Sequence, residues 1–132
     1  MRMNKIKFEK VSKAYSGGRQ ALSNVSLELI EGEVTFLTGH SGAGKSSFLK
    51  LIMRDQLATD GVVSVNGVDL AKIKDRNIPY YRRGLGIVFQ DHYLLMNRTV
   101  FENVAIPLSL IGLDDQVMAR RVRAARRPRR ER

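Results

Sequence analysis

Cysteine is absent from this 132-residue chain, and only two histidines, His40 and His92, are present. The first absence excludes a disulfide framework and a thiolate metal site, and it is compatible with a reducing cytoplasm. Two histidines are too few for a histidine metal cluster. Long apolar runs are lacking as well. The start, MRMNKIKFEK, has no apolar core of the kind a signal peptide needs and reads as the mature N-terminus. The longest apolar stretch, around Val104 to Leu113, is interrupted by Pro107 and is shorter than the ~20 residues that span a bilayer. No transmembrane helix is expected, so attachment to a membrane requires a partner. Acidic residues are in the minority, 13 against 23 Lys and Arg, for a net charge of +10. Residues 120–132 hold eight Arg and one Glu, which leaves only +3 for the preceding 119 residues. The basicity belongs to the tail. The length suits one domain with a moderate core, or part of one.

What the chain does contain is Gly39 to Ser47, GHSGAGKSS, a match to the phosphate-binding pattern G-x-x-x-x-G-K-[ST]. Glycines let backbone N–H groups turn inward without Cβ clashes, and the following helix presents its positive end to an anion. Gly39, Gly42 and Gly44 form the expected cradle, with His40, Ser41 and Ala43 at the unspecified positions and the His40 side chain facing away. Lys45 is expected to reach the β- and γ-phosphates, Ser46 to ligate Mg²⁺, and Ser47 to add a phosphate contact. A flexible Gly/Ser turn is the plainer alternative. Its setting argues against that: Glu33 to Thr38 (EVTFLT) reads as a short strand, and Phe48, Leu49, Ile52 and Met53 recur at helical spacing over Ser46 to Met53.

Elsewhere, Ile6–Val11 and Ala21–Leu29 alternate apolar and polar residues around a Ser16–Gln20 turn and read as an antiparallel pair. Val62–Val65 and Val68–Leu70 flank Asn66-Gly67, a type I′ hairpin signal. Leu70 to Tyr81 is expected to hold one or two short helical turns ending near Arg82 and Arg83. Leu85 to Phe89 reads as a buried strand with Gln90 at its C-terminal end, where open α/β sheets bind ligands. Thr99 is the expected N-cap of a helix through Ala105, with Glu102 completing a capping box. From Ala119 on, Arg, Ala and Pro dominate; a short helical start before Pro128 is allowed, but these side chains are expected to supply no core.

Tyr15, the loop at Gly39 to Ser47 and Gln90 within IVFQD occur in the order found in ABC-type ATP-binding domains, which this chain resembles. The phrases LTGHSGAGKSS and YRRGLGIVFQDHYLLMNRTVFENVAIPL are most similar to the cell-division group, with lipoprotein-release and macrolide-export subunits as the runners-up. The resemblance implies an α/β P-loop NTPase fold: an N-terminal antiparallel β subdomain beside an incomplete parallel core. It implies ATP and Mg²⁺ as cofactors, a homodimer of ATP-binding subunits, an FtsX-like transmembrane subunit as partner, and a place on the cytoplasmic face of the inner membrane. Tyr15 matches the aromatic residue that stacks on adenine, with Arg19 near enough in sequence to assist. Gln90 matches the glutamine that reaches Mg²⁺ and the attacking water. Asp91, His92 and Tyr93 fall in the segment that contacts the transmembrane subunit.

The likeness is expected to cover about residues 3–118, dividing the chain into residues 1–118, the N-terminal part of an ATP-binding domain, and an Arg-rich tail over 119–132. The family's LSGGQ-like signature, its metal-binding aspartate with the neighbouring catalytic glutamate, and its switch histidine do not occur in the 132 residues. Phosphoryl transfer to water needs groups that hold the metal and position the nucleophile. The chain therefore reads as the nucleotide-gripping half of an ATPase. Two other classes compete: non-specific nucleic-acid binding through the tail, and a small-molecule kinase. The tail has no aromatic residue and no Lys, and the register of Tyr15 with Gln90 speaks against a kinase.

Overall fold

The computed structural model describes residues 5–91 and 93–125, in two compact units that divide after Gly86. The first unit is built on a four-stranded sheet in the order β2-β1-β3-β4, every neighbour antiparallel. Its strands are β1 (Lys5–Ala14), β2 (Gln20–Ile30), β3 (Asp60–Val65) and β4 (Val68–Asp69). The β1–β2 and β3–β4 hairpins match the alternation and turn signals. Asn66 and Gly67 both take positive φ, 53° and 80°, as a type I′ turn requires.

Helix α1 (Lys45–Ile52) covers one face of this sheet. Phe48, Leu51 and Ile52 from α1 join Phe8, Val11, Val63 and Leu70 in one buried cluster, with the Phe8 and Phe48 rings stacked at 4.4 Å. Phe8 and Val11 stand three apart, an odd spacing that strict alternation would send to opposite faces. A register shift between them, with Lys10 at φ 50°, inserts the extra residue that turns both inward. Gly61 lies against this bulge so closely that a Cβ there would meet the Lys10 carbonyl oxygen at 2.3 Å. After β4 come two 3₁₀ turns, Leu70–Lys72 and Asp75–Asn77, and the short helix α2 (Ile78–Arg82), in accord with the helical turns expected there.

Two expected strands do not form. Glu33 to Thr38 and Leu85 to Phe89 have no ladder partner, and the sheet contains no parallel pair. Val34 and Phe36 are 81% and 84% exposed, and Val88 is 96% exposed. The sequence signal, apolar character on both faces, marks a segment for burial between two layers. A ladder also needs a neighbouring strand, and among the described residues none is offered.

The second unit contains α3 (Val100–Leu110) and α4 (Asp115–Ala125), which pack on each other. The capping box is present: Thr99 Oγ1 accepts from Glu102 N at 3.2 Å, and the Glu102 carboxylate accepts from Thr99 N at 2.7 Å. Asn103 fastens the preceding turn to α3, accepting from Leu95 N and donating to the Leu95 and Thr99 carbonyls. Contrary to expectation, α3 continues past Ala105 and through Pro107. Pro107 forgoes one helix hydrogen bond, yet α3 keeps its course through it and packs on α4. In the tail the helical start agrees with expectation, and the expected lack of a core contribution does not hold. Helix α4 runs across the boundary at Met118, and Val122 is fully buried, so residues after Ala119 do contribute to a core. Residues 126–132 of the expected tail lie outside the described residues.

Candidate nucleotide-binding site

The loop at Gly39 to Ser47 leads straight into α1, and its backbone is unlike regular structure. Gly39, Gly42 and Gly44 take φ of 152°, 82° and 90°. Gly44 is the N-cap of α1 with left-handed geometry, and no side chain caps the helix. The first N–H groups of α1 therefore keep their capacity to bind an anion. A Cβ on Gly44 would sit 2.2 Å from the Ala21 carbonyl oxygen, which is why the loop can lie against β2 only with glycine there.

Lys45 folds back over the loop, its Nζ donating to the carbonyls of Gly39 at 2.6 Å and His40 at 2.8 Å. The ammonium is thus held at the loop mouth by two neutral carbonyls, and an anionic phosphate oxygen can replace or join them. His40, Ser41 and Ser46 are exposed, and Ala43 N closes the loop on the His40 carbonyl at 3.2 Å. Tyr15 comes to the same place from the β1–β2 turn. Its hydroxyl and Ser47 Oγ lie 3.0 Å apart, so the aromatic residue is tied to the first turn of α1. Lys13 Nζ sits over the Tyr15 ring at 5.2 Å, leaving stacking of a base to the opposite face.

Gln90 and Asp91 are exposed in the second unit, as is Tyr93, which has φ of 50° and an edge-on contact with Phe89 at 5.4 Å. His92 lies outside the described residues. The first unit thus brings together Tyr15, the glycine loop, Lys45, Ser46 and Ser47, while Gln90 stands in the other.

Sequence reasoning missed the far end of α1. Tyr81 donates its hydroxyl to the Ile52 carbonyl, and Arg82 donates to the carbonyls of Met53 at 2.9 Å and Arg54 at 3.2 Å. Burial pushes the Tyr81 phenol above its ordinary pKa, which keeps the donor protonated. Together these two residues satisfy carbonyls that the end of a helix leaves open. The only signal was the presence of donors at unknown distance in space.

The sequence profile of the ABC transporter family matches residues 22–130, with the glycine loop, α1 and the Gln90 segment all inside the matched range. The chain belongs to this family. Among curated members it is 52% identical over 120 residues to the cell division ATP-binding protein FtsE of Escherichia coli strain K12, covering 91% of this chain and 54% of that protein. It is 46% identical over 117 residues to FtsE of Bacillus subtilis strain 168, covering 89% and 51%. The chain spans about half the length of the curated relatives it matches. Solved members agree. The ATP-binding cassette MJ0796, a dimer bound to ADP and Pi in a post-hydrolysis state, superposes with a TM-score of 0.81 at 31% identity over 90% of this chain and 54% of that one. A bacterial Atm1-family ABC exporter with ATP bound gives 0.70 at 32% identity over 79% and 18%. A P-loop cassette fold and a nucleotide ligand are therefore properties of the family to which this chain belongs.

Proposed function

We propose that this chain is the nucleotide-gripping part of an ATP-binding subunit of the cell-division type, working in an ABC complex with a second ATP-binding subunit and an FtsX-like transmembrane subunit. The observation that carries the proposal is the loop itself: three glycines in left-handed or extended conformations, an uncapped helix N-terminus, and Lys45 held at the mouth by two carbonyls. Phosphates fit this cradle by charge and by the space that absent Cβ atoms leave. Tyr15, tied to Ser47, is the residue for the adenine ring. The similarity to FtsE proteins supports the cell-division assignment over lipoprotein release or macrolide export.

Mg²⁺ is assigned to the Ser46 hydroxyl of the first unit. An exposed hydroxyl beside the loop suits an ion that keeps several waters and takes only one or two protein ligands. When bound, the ion would neutralise charge on the phosphates. Among the described residues no group of three or more His, Asp or Glu side chains is placed to hold a metal by itself. Among the described residues no helix is long and apolar enough to cross a membrane. We assign the chain to the cytoplasmic face of the inner membrane, held there by its partner, and divide residues 1–118 from 119–132 by composition alone, since α4 and the family match both run across that boundary.

Calorimetric titration with ATP tests this reading. Lys45→Ala is expected to abolish measurable binding, because it removes the charge that the cradle aims at the phosphates. Unchanged affinity in that variant would refute the assignment.

A further inference from the structure

The turn that joins β1 to β2 touches the phosphate loop at both of its ends. Tyr15 N donates to the Arg19 carbonyl at 2.9 Å and Gly18 N to the Tyr15 carbonyl at 3.1 Å, with Gly17 and Gly18 at positive φ, so Tyr15 and Arg19 are held together as the two posts of one tight turn. The Tyr15 post is fastened to Ser47 on α1. The Arg19 post reaches the loop. Its Nη2 lies 3.5 Å from where a Cβ of Gly42 would be, so the guanidinium rests over bare loop backbone. Arg19 is exposed and, among the described residues, enters no ion pair.

We propose that Arg19, set over Gly42 by the Tyr15–Arg19 turn, is a second polyphosphate-binding cation that acts with Lys45 on the charged tail of a nucleoside di- or triphosphate. The proposal rests on the loop being a nucleotide site and adds a residue to it. Two cations stand at one short loop, Lys45 bonded to Gly39 and His40 and Arg19 beside Gly42, and among the described residues no carboxylate is paired with either. Such a field favours an anion with several charges over one with a single charge. The guanidinium fork matches phosphate oxygens in a way an ammonium does not. Placement over the loop also assigns Arg19 to the phosphate end of the ligand and not to the adenine end that its proximity to Tyr15 in sequence suggested. The residue serves the phosphates, and the base is left to Tyr15.

The test titrates the chain and its Arg19→Gln, Arg19→Lys and Lys45→Ala variants with ATP and, separately, with inorganic tripolyphosphate, at two salt concentrations. Arg19→Gln is expected to weaken both ligands alike, by about tenfold, and to flatten the salt dependence. Arg19→Lys should recover part of the loss, and melting temperatures should not move, since Arg19 is exposed and unpaired among the described residues. Weakening of ATP without weakening of tripolyphosphate would mean a base contact and would overturn the proposal. So would a lowered melting temperature shared by Arg19→Lys, which would make the residue structural. If Lys45→Ala abolishes binding while Arg19→Gln binds as the parent does, this proposal fails and the site stands. If both variants bind as the parent does, the site reading itself fails.

Discussion

Gly44 carries the severest steric constraint in the loop. It combines a positive φ with a neighbour, the Ala21 carbonyl oxygen, that a Cβ would overlap. Gly44→Ala is expected to destabilise the first unit by about 2–4 kcal/mol, the sum of left-handed strain and a forced shift of the loop away from β2. Denaturant unfolding followed by near-UV tyrosine absorbance would show it, and a loss under ~0.5 kcal/mol would mean that the loop moves freely from β2. Gly42→Ala should cost less, because only the flexible Arg19 tip stands near its open side. Tyr15→Phe separates two roles of one side chain. It removes the hydroxyl contact with Ser47 and keeps the ring, so it is expected to lower stability by about 1 kcal/mol while ATP affinity changes little. A large loss of affinity with unchanged stability would show that the hydroxyl, and not the ring, serves the ligand.

At the scale of elements, α3 owes its start to a charged cap. Hydrogen bonds from Thr99 N and Thr99 Oγ1, then from Arg98, hold the Glu102 carboxyl below the usual carboxylate range. A depressed folded-state pKa stabilises the folded helix at pH above the ordinary carboxylate value, and that stabilisation is lost as pH falls through the depressed value. Helical circular dichroism should therefore fall between about pH 5 and pH 3 by more in the parent chain than in Glu102→Gln, whose side chain does not titrate. Equal acid losses in the two would contradict the cap's part in α3. Helix α1 depends instead on its far end, where Tyr81 and Arg82 close the carbonyls of Ile52, Met53 and Arg54. That anchoring fixes the direction in which the loop is presented.

At the scale of the whole molecule, the antiparallel sheet with α1 is a finished piece of structure, whereas the two extended segments are not. Val34, Phe36, Val88 and Phe89 are left to solvent, so the isolated chain should melt broadly and associate at high concentration. A single sharp transition at high temperature in the monomer would contradict this. We also expect the 132-residue chain alone to release no phosphate from ATP above background. Catalysis of phosphoryl transfer is nearly all positioning and charge stabilisation, and the family's catalytic glutamate and metal-binding aspartate do not occur in these residues. Turnover that vanishes in Lys45→Ala would overturn that expectation and would point to Asp60, Asp69 or Asp91 as a substitute.

Local chemistry made much of this legible in one dimension. The glycine loop, the Asn66-Gly67 turn and the Thr99–Glu102 cap each depend on a few adjacent residues whose backbone preferences and hydrogen bonds are complete within a turn or two, so spacing alone determined them. The β1–β2 pair was legible because alternation with a glycine turn leaves few other pairings. What depended on partners distant in the chain was decided only by tertiary structure. The segments Glu33 to Thr38 and Leu85 to Phe89 have the composition of buried strands but no ladder, since a strand's hydrogen bonds lie in its neighbours and not in itself. The capping of α1 by Tyr81 and Arg82, the burial of Val122 within an arginine-rich helix, and the seat of Arg19 over Gly42 likewise needed the chain to fold back. In each case the energy resides in a contact between residues that the sequence keeps far apart or leaves unoriented, and only the packed molecule brings them within reach.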